Sequence, residues 1–233
     1  MDAELWWMSP PCTPFTKRGF MRDLDDPRSV ALKYLIQVVS AVRPTLVCLE
    51  NVVGFESSKA FHHLSDQWTR VGYNLRTHTI CPSNLGWPNR RPRVYCIASL
   101  ERLPDHLPTP LAKPPGITEF IDQNITIESD PNLWLEKKSV ERYWRAMDRV
   151  TLSDNAIVTA CFAASYGKAI VRSGSYLETP SGYRRFSPRE VARFLGFDNT
   201  FQLPCRISTK RQWQLLGNSL SLPAVRHVLA GLV

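Results

Sequence analysis

The stretch Leu5-Trp6-Trp7-Met8-Ser9-Pro10-Pro11-Cys12-Thr13-Pro14-Phe15-Thr16 decides how this chain is read. Four apolar residues stopped by Ser-Pro-Pro predict a short buried strand running into a rigid loop, because proline fixes φ and withholds a backbone donor. The loop holds the thiol of Cys12 at the tip of a strand-to-loop turn, where a thiolate could attack an electron-poor ring carbon. A cysteine behind a proline is more often structural, so the rest of the chain has to carry the decision.

Working outward, Leu32, Leu35, Val38, Val39 and Val42 keep helical spacing up to Pro44, and Thr45 to Leu49 predicts a second buried strand that ends at Glu50-Asn51. A helix with Phe61, Leu64, Trp68 and Val71 on one face follows, then strands near Tyr73–Ile80 and Arg93–Ala98. This alternation predicts an α/β fold built on a parallel sheet, in which ligands sit beyond the carboxyl ends of the strands. Cys12 and Glu50 fall at such ends. Burial favours the neutral form of a carboxyl, so an acid placed directly after a buried strand can give a proton to a ring nitrogen. Arg91 and Arg93 alternate at the start of a strand; both are expected on one face, where they could hold a phosphate or a base.

From Pro104 to Gly182 the pattern loosens, with five prolines between Pro104 and Pro115. Order returns at Ser187-Pro188-Arg189-Glu190, a capping box with proline at the first helical position, in a helix expected to close near Gly196. Ser208 to Leu216 and Leu222 to Leu232 predict two more helices. The expected organisation is a first part over 1–103, a separate recognition region over 104–184, and C-terminal helices over 185–233 that return to the first part.

With 43% hydrophobic residues among 233, the chain can bury a substantial core. Its net charge is +8, and 21 of its 29 basic residues are arginine, which favours a polyanionic partner because guanidinium forks match phosphates and stack on bases. A genome that prefers arginine codons explains the same bias. The six cysteines are scattered, with no C-x-x-C pair and no cysteine–histidine grouping, so reduced thiols and no metal site are expected. No stretch approaches the roughly 18 apolar residues of a membrane span, and a soluble, cytoplasmic protein is expected.

Taken in order, the Pro-Pro-Cys loop, Glu50-Asn51-Val52, Arg91-x-Arg93 and Gly217-Asn218-Ser219-Leu220 resemble the cytosine-5 methyltransferase family. The resemblance sharpens toward the transfer-RNA aspartic-acid methyltransferase branch at Leu49-Glu50-Asn51-Val52-Val53-Gly54-Phe55-Glu56 and at Cys161-Phe162-Ala163-Ala164-Ser165-Tyr166-Gly167. Ala163 stands where that branch has threonine, Ser165 where it has the first glycine of a turn, and Thr13 where the family usually has glutamine.

The resemblance implies a Rossmann-like fold dependent on S-adenosylmethionine and a nucleic-acid partner, transfer RNA in preference to DNA. It implies that Cys12 adds to ring carbon 6 of a cytosine taken out of its stack, while Glu50, helped by Asn51 and Arg91, holds the ring nitrogen and exocyclic amine, and Arg93 supports the pocket. Ser9, Pro11, Asn218 and Ser219 are the implied cofactor contacts. Two other readings stay open: a DNA cytosine-5 methyltransferase, and a nucleic-acid-binding subunit without catalysis.

The sequence departs from the family at its start. The expected glycine-rich turn, and an acid after the next strand to bind the cofactor ribose, are absent, and no G-x-G occurs anywhere. The expectation is therefore an incomplete cofactor-binding half, explained by a start further upstream, by a partner subunit that supplies the glycine-rich half, or by a remnant that only binds nucleic acid.

Overall fold

The computed structural model describes residues 3–16, 22–103, 116–152, 158–230 and 232, and these fall into two compact units. The first holds residues up to Ile80, Pro92–Pro108 and the C-terminal residues from Val228; the second holds Cys81–Arg91 and Thr109–His227. The proline-rich run over 104–115 lies outside the described residues.

In the first unit a four-stranded sheet has the order β1-β2-β4-β3, with β1 at Leu5–Met8, β2 at Leu46–Asn51, β3 at Asn74–Ile80 and β4 at Arg93–Ser99. The central strands carry apolar, buried runs over 47–49 and 94–98, as strands covered on both faces require, with polar residues only at their ends. β1 and β2 are parallel, as expected, with Met8 opposite Leu49. β4 runs antiparallel to both β2 and β3, which corrects the expectation of a wholly parallel sheet. A parallel return needs a crossover connection, usually a helix. The chain between β3 and β4 carries only the short 3-10 turn Pro82–Leu85, so the strand comes back the other way.

Helix α1, Val30–Val42, buries Leu32, Ile36 and Val39 at the spacing of one helical face. It stops at Arg43, whose φ of 53° is left-handed and whose N–H reaches Val39 O, one residue before Pro44. Helix α2, Lys59–Arg70, buries Ala60, Leu64 and Trp68. Its first turn is closed by the Ser58 hydroxyl, which accepts the Phe61 N–H, and by the Asp23 carboxylate, which accepts the N–H groups of Lys59 and Ala60 at 2.6 and 3.0 Å. The indole of the fully buried Trp68 donates to Ile36 O and so ties α2 to α1. Truncating such a residue costs about 3–5 kcal/mol.

The second unit has its own core, built around Phe162, Tyr166, Tyr176, Phe186, Phe194 and Trp213. A three-stranded sheet, β5-β6-β7, comprises Asp148–Val150, Ser175–Thr179 and Gly182–Arg185, with β5 parallel to β6 and β7 antiparallel. Helix α3 spans Lys137–Tyr143. Helix α4, Pro188–Phe194, has the expected capping box, and Gly196 follows it at φ 89°. Helices α5, Thr209–Gly217, and α6, Leu222–Ala230, complete the chain.

The observed division differs from the expected boundaries. α4 and α5 group with the second unit, whose core Val191, Phe194, Trp213 and Leu216 complete, whereas the end of α6 from Val228 groups with the first. Residues 81–91 join it as well: Arg90 donates to Thr159 O, and the buried Asn89 amide donates to Thr159 Oγ1 and Ala160 O.

Candidate active site

Parallel pairing of β1 with β2 puts their carboxyl ends at one end of the sheet, and antiparallel β4 starts at that same end, where Val94 faces Asn51. Four sequence-predicted residues of the first unit gather there: Cys12 beyond β1, Glu50 and Asn51 as the last residues of β2, and Arg93 as the first of β4. Cys12 is exposed. Its carbonyl accepts the Phe15 N–H at 3.0 Å, opening a 3-10 turn with Pro14 near its start, so the thiol-bearing loop is short and stiff. Cys48 and Cys96 give the contrast: burial pushes both thiols up to about 12, which leaves them inert.

Asn51, 1% exposed, joins the two loops. Its Nδ2 donates to Pro10 O at 3.3 Å, and its Oδ1 accepts the Val52 N–H at 2.9 Å. The side chain thus fixes the backbone two residues before Cys12 and also the turn after Glu50. Arg93 Nε lies 3.2 Å from Glu50 Oε1 in an ion pair whose side chains are 15% and 10% exposed. Arg93 Nη1 donates to Pro92 O at 2.8 Å, so the guanidinium is anchored at the start of β4 while its Nε faces the carboxylate.

One contact was not visible in the motif pattern. A Cβ on Gly54 would sit 2.7 Å from Phe15 O, so the turn after Glu50-Asn51 approaches the end of the Cys12 loop backbone to backbone. Phe15 and Phe55 pack edge to face at 4.9 Å beside this contact. The only sequence signal was a glycine inside the Glu-Asn-Val-Val-Gly run.

Arg91 behaves differently from Arg93. The strand opens at Arg93, Arg91 precedes it across Pro92, and Arg91 belongs to the second unit, so the two do not share a strand face as expected. Arg91 is 3% exposed. Its Nη1 donates to Phe162 O and meets Cys161 Sγ at 3.4 Å, while its Nη2 donates to Gly217 O at 3.1 Å and to Ser219 O. A Cβ on Gly217 would lie 2.2 Å from Ala164 N. The guanidinium therefore staples the Cys161-Phe162 segment to the Gly217-Asn218-Ser219 turn, and Gly217 permits the close approach. Of the residues assigned to the cofactor, Ser9 and Pro11 are exposed in the first unit, and Asn218 is exposed and Ser219 half-buried in the second.

Comparison with known proteins gives this arrangement a family. The profile of the C-5 cytosine-specific DNA methylases matches residues 2–123 and 116–233. A tRNA (cytosine(38)-C(5))-methyltransferase of Schizosaccharomyces pombe is 30% identical, over 98% of this chain and 76% of its own length. A DNA (cytosine-5)-methyltransferase of Dictyostelium discoideum is 27% identical, over 99% of this chain and 77% of its own. The solved structure of the Entamoeba histolytica methyltransferase EhMeth superposes with a TM-score of 0.89 at 24% identity, covering 98% of this chain and 76% of that one. With a profile matched along nearly its whole length and a mixed α/β fold shared with a solved methyltransferase, the chain belongs to the C-5 cytosine-specific DNA methylase family.

Proposed function

We propose that this chain methylates carbon 5 of a cytosine in transfer RNA, using S-adenosylmethionine, with Cys12 as the nucleophile. The observation that carries the reading is the gathering of an exposed thiol on a stiff loop with a carboxylate–guanidinium pair at one end of one sheet. Cytosine is a poor nucleophile at carbon 5, and addition of a thiolate to carbon 6 raises the electron density there. Cys12 forms that bond as a thiolate, its proton lost to solvent; once carbon 5 carries the methyl group, the carbon 5 proton passes to a water at the exposed site and the Cys12 thiolate leaves, which restores the aromatic ring. Glu50, oriented by Arg93, holds ring nitrogen 3 and the exocyclic amine and offsets the charge that builds on the ring. Asn51 positions the Cys12 loop through Pro10. Arg91 acts at a remove, as a positioning residue that sets the Gly217–Ser219 turn.

S-adenosylmethionine, when bound, supplies an electrophilic methyl group. Ser9, Pro11, Asn218 and Ser219 are the residues that would hold it. The uncharged side-chain donors of Ser9, Asn218 and Ser219 suit its amino-acid end, and the buried Ser221 Oγ, just past the turn, has no hydrogen-bond partner among the described residues. The transfer-RNA target is favoured by the Schizosaccharomyces pombe relative and the Cys161-Phe162 segment, and the +8 charge suits a polyanion. We assign recognition of that target to residues 104–184. Among the described residues no helix is long and apolar enough to cross a membrane, and the six cysteines are free, which fits a reducing compartment such as the cytoplasm.

The Dictyostelium discoideum relative supports DNA as a second reading. Methyl transfer to total transfer RNA and to cytosine-containing duplex DNA, for the wild type and Cys12→Ala, tests both. Transfer to RNA that vanishes in the variant is expected. Transfer to DNA alone would replace the substrate, and undiminished transfer by Cys12→Ala would refute the nucleophile.

A further inference from the structure

The second unit carries a basic, aromatic groove that shares no residue with the site described above. It has a volume of about 570 Å³ and runs along α3 and the turn after it. Lys137, Arg142 and Arg145 line it against a single carboxylate, Glu141, and Trp144 forms part of its wall. Trp144 is 43% exposed, unusual for so large an apolar side chain. The indole is held rather than loose: the Arg149 guanidinium, from β5, stacks 3.7 Å from its ring centroid, and the Tyr183 ring packs edge-on at 5.7 Å.

We infer that this groove grips an unpaired nucleotide of the RNA substrate, with the base on Trp144 and the adjoining phosphates on Arg142, Arg145 and Lys137. The inference rests on the nucleic-acid reading above and adds a second point of contact to it. Three cations facing one carboxylate match a polyanion. An indole fixed beforehand by Arg149 loses little freedom when a base stacks on it, and such stacking works for any base because every base has a π-face. Paired RNA keeps its bases inside the helix, so the aromatic contact selects loops and single-stranded ends.

The full chain is titrated with a short labelled oligoadenylate and, separately, with a paired RNA duplex, across a range of salt concentrations. Trp144→Ala is expected to weaken oligoadenylate binding about 10-fold or more while leaving duplex binding unchanged, and Trp144→Phe to retain most of the affinity. Arg145→Gln is expected to reduce the slope of log affinity against log salt by about 0.7. Circular dichroism confirms that each variant is folded. Trp144→Ala and Arg145→Gln variants that bind the oligonucleotide like the wild type overturn the proposal, and so does an equal loss on duplex and single strand. If the wild type methylates or binds transfer RNA while the variants match it, only the groove is refuted; if the wild type binds no RNA, the transfer-RNA reading falls first.

Discussion

Two arginine–carboxylate pairs, one in each unit, show how the same chemistry is put to different uses. Arg184 and Glu190 are 2% and 0% exposed and meet through two contacts of 2.8 Å. Glu190 also closes the capping box of α4 and accepts the Asp122 N–H, so its oxygens are occupied inside the protein. Arg93 and Glu50 meet at 3.2 Å at the end of a strand, where both side chains keep some exposure. The first pair locks a core; the second leaves a carboxylate at the sheet end that also carries the Cys12 loop.

If that contrast is right, changing the carboxylates should separate activity from stability. Glu50→Gln should lower kcat about 10²–10⁴-fold, measured as methyl incorporation under saturating cofactor, with little change in melting temperature. A wild-type rate in this variant would leave Glu50 without a chemical role. Glu190→Gln should do the reverse, destabilising the protein by about 3–5 kcal/mol because Arg184 stays buried with its partner neutralised. Calorimetric melting tests this, and an unchanged transition would mean that the pair is not what holds α4 to β7.

Smaller effects sharpen the account of the Cys12 loop. Asn51→Ala removes the donor to Pro10 and the acceptor for Val52, and should cost about 1–3 kcal/mol in denaturant unfolding. Its kcat should fall further than its KM rises, since a looser Cys12 loop affects the chemistry more than the binding. Equal effects on both would assign Asn51 to substrate affinity instead. The smallest effect concerns Asp26, which the Arg28 side chain, through its hydrogen bond, holds at about 2. A folded value below the unfolded 3.8 means that this interaction stabilises the fold above that pH and is lost as the pH falls through about 2. Asp26→Asn should therefore lower the melting temperature at neutral pH and have progressively less effect in acid. A penalty that persists undiminished at the acid end would contradict the pairing.

The legible parts of the chain were those in which one local rule governs. β1 follows from four apolar residues halted by Ser-Pro-Pro, and α4 from Ser187-Pro188-x-Glu190. The antiparallel turn of β4 was not legible, because strand direction depends on the connection and not on the strand's own residues. The burial of Arg91 was missed for a related reason: alternation assumes a continuing strand, whereas Pro92 separates Arg91 from β4 and the guanidinium finds its acceptors near residues 162 and 217–219. The sheet of the second unit escaped because its strands are three to five residues long, too short to show a period. At the candidate site, Cys12, Glu50, Asn51 and Arg93 could each be picked from motifs. The backbone contact at Gly54 and the link from Asn51 to Pro10 could not, since both join segments about forty residues apart.

The measurement that bears most directly on the central claim is covalent capture. A transfer RNA carrying 5-fluorocytosine, incubated with the chain and S-adenosylmethionine, should form a complex that survives denaturing electrophoresis, because fluorine cannot leave as the carbon 5 proton does and Cys12 stays attached to carbon 6. Peptide mapping should find the adduct on Cys12, and Cys12→Ala should give none. A preparation that methylates unmodified RNA yet forms no adduct at Cys12 would contradict the account.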